Sequence, residues 1–396
     1  MSDVSESGQW VHRQTRSYRE VRNGYTCFNE GDVLFAKITP CMENGKGCHA
    51  ISLVGGVGFA STEFHVLRAK DCADAGFIFQ WSIDLSLRRK AAAVMTGSAG
   101  QQRVPASFFN TFTVPCLPKP EQSKIAEVLS TVDSAIAQTE ALIAKQQRIK
   151  TGLMQDLLTR GIDEHGQLRS EATHAFKDSP LGRIPVEWKV KTLDSVAEFV
   201  TSGARGWAKY YSEQGPIFLR IGNLTRKHIN LRMDDIVHVQ PPTSAEGTRT
   251  QVQQDDLLIS VTADLGIIGV IPVNFGAGYV NQHIALARLN SANVSPRFVG
   301  WFLGGHQGRQ QFDKLNESGA KAGLNLPTVR SLLFPSPELA EQAQIAAMLD
   351  SSTEALTRRM DTLRKLRHLK TALMQDLLTG KVRVTPLLEP AGEAIA

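Results

Sequence analysis

Apolar residues over 121–160 fall at Ile125, Leu129, Val132, Ile136 and Ile143, then at Ile149, Leu153 and Leu157. Their early spacings of three, four and seven trace the stripe of an amphipathic or coiled-coil helix. A second stripe, Ile345, Leu349, Leu356, Leu363, Leu366, Leu369, Leu373 and Leu377, runs over 341–380. The two blocks align without a gap at an offset of 220 positions and share sixteen of forty residues, including the run Leu153–Thr159 against Leu373–Thr379. Pro118 and Pro120 stand before the first block and Pro335 and Pro337 before the second, while Gly161 follows the first and Gly380 closes the second. Proline is tolerated in a first helical turn and glycine stops a helix, so each block predicts one helix with a punctuated start and end. At 1.5 Å per residue each is about 39 residues and roughly 58 Å long. Helices of that length rarely stand alone, so each copy is expected to pack on the other. A repeat this long makes the chain two similar halves.

The segments outside the helices repeat as well. Asp32–Ala36 answers Asp256–Ser260, and Gly58-Phe59 with Phe64–Arg68 answers Gly278-Tyr279 with Ile284–Arg288. Both alternate short β-branched runs with glycine turns, carry an amphipathic stretch (76–92 and 296–315), and end in a proline-bearing strand signal. The pattern predicts small mixed domains built on a curved sheet. Residues 162–187, polar and broken by Gly166, Pro180, Gly182 and Pro185, read as a linker. The expected fold is α+β: two small mixed α/β domains with curved sheets, separated by two long antiparallel coiled-coil helices. Its boundaries are 1–117 and 188–335 for the domains, 118–161 and 336–381 for the helices, 162–187 for the linker and 382–396 for a tail. The halves differ in front: 68 positions separate Trp188 from Asp256, while 31 residues precede Asp32. The first domain is therefore expected to lack about 35 residues, with Met1 an internal methionine of a longer reading frame or the start of a truncated form.

At 396 residues, 42% hydrophobic and 21% charged, the composition is that of an ordinary globular protein. The net charge of +5 suits a polyanionic partner without requiring one. All five cysteines lie in the first 116 residues, an odd number at irregular spacing. They predict reduced thiols rather than a disulfide frame. Cys41 and Cys48 beside His49 lack the paired spacing of a structural zinc site. The polar N-terminus is not a secretory signal and no run of 18 apolar residues occurs, so a cytoplasmic protein off the membrane is expected.

Enzyme motifs are weak. Gln240-Pro241-Pro242-Thr243 lacks the acid and the aromatic ring of an adenine methyltransferase. Asp178 with Glu187-Trp188-Lys189 has the letters of a metal nuclease but falls at a linker. Neither a P-loop nor a glycine-rich cofactor loop occurs.

Four features carry a family resemblance. They are the duplicated helix ends Lys150–Thr159 and Lys370–Thr379, the entry Pro118-Lys119-Pro120-Glu121-Gln122, the stretch Leu181–Trp188, and Gly31–Lys46. Together they resemble the specificity (S) subunits of Type I restriction-modification systems, over essentially the whole chain. In that family a strand and loop region precedes a stretch like Met1–Glu6, and here it is missing. The resemblance implies a non-catalytic protein that reads double-stranded DNA, each domain recognising one half of a split, asymmetric target. It implies that the helices act as a spacer and dock methyltransferase (M) subunits, and that restriction/translocase (R) subunits cleave. S-adenosylmethionine, ATP and Mg²⁺ are then expected on those partners, with no cofactor or metal in this chain. A rod of roughly 58 Å exceeds one B-DNA turn of about 34 Å, long enough for both domains to meet one face of a duplex.

Reading bases requires paired donors and acceptors, chiefly Arg, Lys, Asn and Gln, while phosphate contacts carry no sequence information. Such residues cluster in loop-like stretches: Lys37, Asn44 and Lys46; Gln101, Gln102 and Arg103; Arg205 and Lys209; Arg220, Asn223 and Arg226; Asn281, Gln282 and His283; Lys321 and Asn325. For subunit docking the candidates are Gln155-Asp156 and Gln375-Asp376, kept in both copies; a helix-end hydrogen bond explains them equally well. A stand-alone DNA-binding regulator and a coiled-coil scaffold remain as alternative functions.

Overall fold

The computed structural model describes residues 1–203, 205–317 and 323–388. They form two compact units, Met1–Leu142 with Met360–Ala396, and Ile143–Arg359. Two long helices, Lys119–Thr159 and Leu339–Leu378, each contribute to both units. The first stops where Gly161 takes a left-handed conformation (φ +65°) and its N–H turns back to the Asp156 carbonyl, a conformation that costs any residue with a Cβ.

The first unit holds five short strands, β1 (Tyr25–Asn29), β2 (Val33–Ala36), β3 (Gly47–His49), β4 (Val57–Ser61) and β5 (Phe64–Leu67). They pair as β3-β2-β5 and β1-β4, antiparallel throughout. All four residues of β2 are buried, which explains its unbroken apolar run. Successive side chains of a strand point to opposite faces. Phe35 thus joins Phe77, Trp81, Phe108, Ile125, Leu129 and Leu377 on one side, while Leu34 and Ala36 join Val4, Phe28 and Phe64 on the other. The two helix segments of this unit run antiparallel, tied by Lys370 Nζ to Asp133 (2.5 Å) and Arg367 to Glu140 (2.7 Å).

The second unit carries β6 (Phe176–Ser179), β7 (Gly182–Pro185), β8 (Lys189–Thr192), β9 (Ala197–Ser202), β10 (Tyr211–Leu219), β11 (His238–Val239), β12 (Leu257–Ser260), β13 (Ile268–Val270), β14 (Gly278–Val280), β15 (Ile284–Leu289) and β16 (Leu333–Ser336). Its sheets run β13-β12-β15-β9, β11-β10-β14, β16-β8 and β6-β7. The core gathers Trp188, Phe298, Phe302, Phe312 and Phe334 with Leu157, Leu158, Ile345 and Leu349 from the long helices.

Two differences from the sequence expectation stand out. Residues 162–187 are more than a linker: Pro180, Gly182 and Pro185 belong to the β6–β7 hairpin, and Ile162, Leu181 and Ile184 are buried in the core. The inequality of the domains also has a structural content. Strands β8, β9 and β10 pair with β16, β15 and β14. Among the described residues of the first unit, no strand flanks the outer edges of β5 and β4, the counterparts of β15 and β14.

The duplicated residues hold each unit together in the same way. Gln122 accepts the Asp74 N–H (2.9 Å) and donates to the Leu117 carbonyl (2.8 Å). Gln342 accepts the Ser295 N–H (2.9 Å) and donates to the Pro337 carbonyl (2.8 Å). Each glutamine pins the start of a long helix to the domain before it. Gln342→Ala should lower the unfolding free energy by about 1–3 kcal/mol, because a buried donor and acceptor lose their partners; urea denaturation reads the difference, and an unchanged midpoint would contradict the role.

Asp32 and Asp256 repeat too. Each carboxylate accepts a backbone N–H, from Asn29 and Gln253, and takes a two-pronged guanidinium, from Arg68 and Arg288. The Arg68 hydrogen bonds hold Asp32 below the usual carboxylate range, whereas burial pushes Asp256 up despite its arginine. The lowered group stabilises the fold fully above its unfolded value of about 4 and loses that contribution as pH falls through its folded pKa. Acid titration of Asp32→Asn should therefore lose part of the wild-type dependence below about pH 4. Identical acid titrations for the two proteins would contradict this assignment.

Candidate nucleic-acid interface

In the first unit three segments meet at the end of β2. The Lys37 N–H donates to the Glu63 carbonyl, the Val104 N–H to the Lys37 carbonyl (both 2.9 Å), and the Thr39 N–H to the Gln102 carbonyl (3.0 Å). The second unit builds the same junction: the Val261 N–H donates to the His283 carbonyl (2.9 Å) and the Leu324 N–H to the Val261 carbonyl (2.8 Å). The end of a central strand, the turn before its neighbour and the stretch after a glycine loop are thus brought together twice.

At the first junction Arg103 forks onto Glu63 (Nε to Oε2 2.9 Å, Nη2 to Oε1 2.8 Å) and donates from Nη1 to the Gln101 carbonyl (3.0 Å). That hydrogen bonding holds the Glu63 carboxyl below its ordinary value. Lys37 and Gln102 are half-buried beside it and Gln101 is exposed. The neighbouring loop 39–46 rests on Arg88. This guanidinium is 3% exposed, lies 4.5 Å over the Phe35 ring and donates to the carbonyls of Met42 (2.6 Å) and Lys46 (3.2 Å). Burial pushes it down to about 10. Asn44 donates to Glu6 (3.1 Å) and Lys46 to the Met1 carbonyl (3.4 Å), so the loop's predicted residues are tied to the N-terminal stretch.

At the second junction His283 stands between two polar side chains, its Nδ1 2.6 Å from Thr262 Oγ1 and its Nε2 2.9 Å from Gln282 Nε2. Asn281, beside them, is buried and its side-chain amide oxygen accepts the His283 backbone N–H (3.2 Å). Arg205 and Lys209 are exposed, Lys209 lying over Tyr210 (4.9 Å) next to the buried Trp207. Arg220 pairs with Asp235 (2.7 Å), and Arg226 with Asp264 and the Leu265 carbonyl.

Two of the predicted DNA contacts have structural roles. Asn223 is 2% exposed; its side chain accepts the Arg220 N–H (2.9 Å) and donates to the carbonyls of Arg232 (3.0 Å) and Asp235 (3.1 Å), anchoring the loop from inside. Asn325 uses its carbonyl oxygen to cap the short helix Leu326–Arg330, accepting the Thr328 N–H (2.9 Å). Lys321 lies outside the described residues. Sequence reasoning missed Arg88, Glu63 and Thr262. Only Arg88 left a trace, as a charge one position from Leu87 in an amphipathic stretch.

Gln155 and Gln375 are exposed at equivalent places, while Asp156 and Asp376 pair with Arg160 (3.4 Å) and Lys381 (3.0 Å) just beyond each helix end. A cavity of about 200 Å³ opens beside Gln155, lined by Thr151, Met154, Leu158, His306 and Gln307. Among the described residues no His, Cys, Asp or Glu group of three or more is placed to hold a metal ion. No described helix is long and apolar enough to cross a membrane.

A chain built as one small α+β domain and one long helix, each present twice, defines a duplicated two-domain architecture. The model of the Type I restriction modification DNA specificity domain matches residues 6–148 and 185–363. The chain belongs to that family. It is 37% identical over 145 residues to the Type I restriction enzyme EcoEI specificity subunit of Escherichia coli, a match spanning 35% of this chain and 24% of that protein. To the MjaVIII specificity subunit of Methanocaldococcus jannaschii it is 24% identical over 401 residues, 98% of this chain and 89% of the relative. The Type I restriction-modification S subunit from M. genitalium has a similar fold, with TM-score 0.60 at 14% identity, covering 95% of this chain and 90% of that one.

Proposed function

We propose that this chain is the DNA-reading specificity subunit of a Type I restriction-modification complex. It recognises a two-part asymmetric target and directs adenine methylation and ATP-dependent cleavage by partner M and R subunits, without catalysing either step. S-adenosylmethionine, ATP and Mg²⁺ belong to those partners. One observation carries the reading: the residues that hold each unit together internally are the same (Asp32 and Asp256, Arg68 and Arg288, Gln122 and Gln342), while the loop residues around each junction differ. Two readers on one scaffold with different surfaces are what an asymmetric target requires.

The test is fluorescence anisotropy of the chain with its M subunit on genomic DNA fragments at rising salt. Affinity should fall steeply with salt, because phosphate contacts release counterions. A chain without DNA affinity would be the scaffold alternative, and full specific binding without an M subunit would be the stand-alone regulator.

For docking, the duplicated helix ends and the cavity beside Gln155 support M-subunit contacts there. Gln155→Arg with Gln375→Arg should weaken M-subunit capture in size-exclusion chromatography by at least about tenfold, since an unpaired charge buried at an interface is costly. Unchanged co-elution would remove the helix ends from the docking surface.

A further inference from the structure

We infer that Arg103 and Gln282 are specificity-determining residues, Arg103 reading a guanine in one half-target and Gln282 an adenine in the other. Glu63, and the pair Thr262 and His283, are the positioning residues that aim them. The inference rests on the proposed function and assigns its site.

The backbone bonds that build the two junctions are the same in both units, yet their side chains are polar in both and chemically unlike: carboxylate and guanidinium in one, hydroxyl, imidazole and amide in the other. Elsewhere the duplicated scaffold keeps identical residues for identical tasks, as at Asp32 and Asp256. A merely structural junction has no need to change its chemistry between copies, whereas two readers of different sequences do.

The unused hydrogen-bonding groups then select the bases. Arg103 has five N–H groups. Glu63 takes one from Nε and one from Nη2, and the Gln101 carbonyl takes one from Nη1. One N–H remains on each terminal nitrogen, two donors that can serve O6 and N7 of guanine. Its partners fix the plane of the guanidinium, so little side-chain freedom is lost on binding. At the other junction His283 is satisfied when its Nδ1–H donates to Thr262 Oγ1 and its Nε2 accepts from Gln282. Gln282 then keeps one amide N–H and its carbonyl oxygen, the donor and acceptor pair that matches N7 and N6 of adenine. Both residues are half-buried, and the Arg103 side chain is 43% exposed.

The experiment is adenine-methylation mapping by single-molecule sequencing in a host without its own systems, carrying the full chain and its M subunit. Wild type is read first: without a two-part motif the function reading itself falls, before any variant is made. Given that motif, Arg103→Ala should relax a guanine position in one half by roughly ten- to hundredfold, and Gln282→Ala an adenine position in the other. Glu63→Gln and His283→Phe should relax the same two positions by smaller factors. In each case the untouched half, still read normally, shows that the protein is folded. An unchanged motif in the alanine variants, or a uniform weakening of both halves, overturns the assignment, because it places these residues outside base reading.

Discussion

Trp188→Ala is expected to destabilise the second unit by about 3–5 kcal/mol, the range for removing a large aromatic side chain from a packed core. Trp188 is 1% exposed and lies at the point where the first long helix ends, the β6–β7 hairpin returns and β8 begins. Leu157, Leu158, Ile162 and Ile345 belong to the same core cluster, and a Cβ added to Gly161 would strike the indole ring. Little in that neighbourhood can move in to fill the space. Urea unfolding, followed by the fluorescence of the remaining tryptophans, measures the loss; a change below about 1 kcal/mol would mean that the site collapses and is not closely packed.

Glu341→Ala should cost a similar amount for a different reason. One carboxylate takes Arg169 by both prongs (2.5 and 3.1 Å), the Ile162 N–H (3.0 Å) and the Trp188 indole N–H (3.3 Å). Its side chain and that of Arg169 are each 11% exposed. Removing the carboxylate strands a nearly buried cation and two donors together, a loss of about 3–5 kcal/mol. Glu341→Gln, which keeps an acceptor, should recover part of it. The duplicate in the first unit provides the contrast. Glu121 bonds Arg383 and Thr385, but Arg383 is 52% exposed, so solvent screens the pair and Glu121→Ala should cost clearly less. Because Trp188 and Glu341 touch, the double variant should be milder than the sum of the two singles.

The long helices were legible because a helix with one buried face writes its period into the chain, and the ends were legible because proline and glycine have positional costs. Matching Asp32–Ala36 with Asp256–Ser260 located the central strand of each sheet for the same kind of reason. What Asp32 and Asp256 do was not legible, since their arginines lie 36 and 32 residues away. Residues 162–187 misled because a hairpin turn and a linker use the same residues; burial of Ile162, Leu181 and Ile184 depends on the helix ends they meet. At the junctions, residue type alone listed Asn223 and Asn325 beside Arg103 and Gln282. An asparagine that caps a helix and a glutamine with a free amide edge are the same kind of letter in a loop. Only the partners of each polar atom separate them.

On the proposed function, the two units read two different half-sites. Mapping adenine methylation in a methylation-free host that carries this chain and its neighbouring M subunit tests it most directly. One motif of two unlike parts separated by a gap of fixed length is expected. A symmetric motif, a single half or methylation without sequence preference would contradict it.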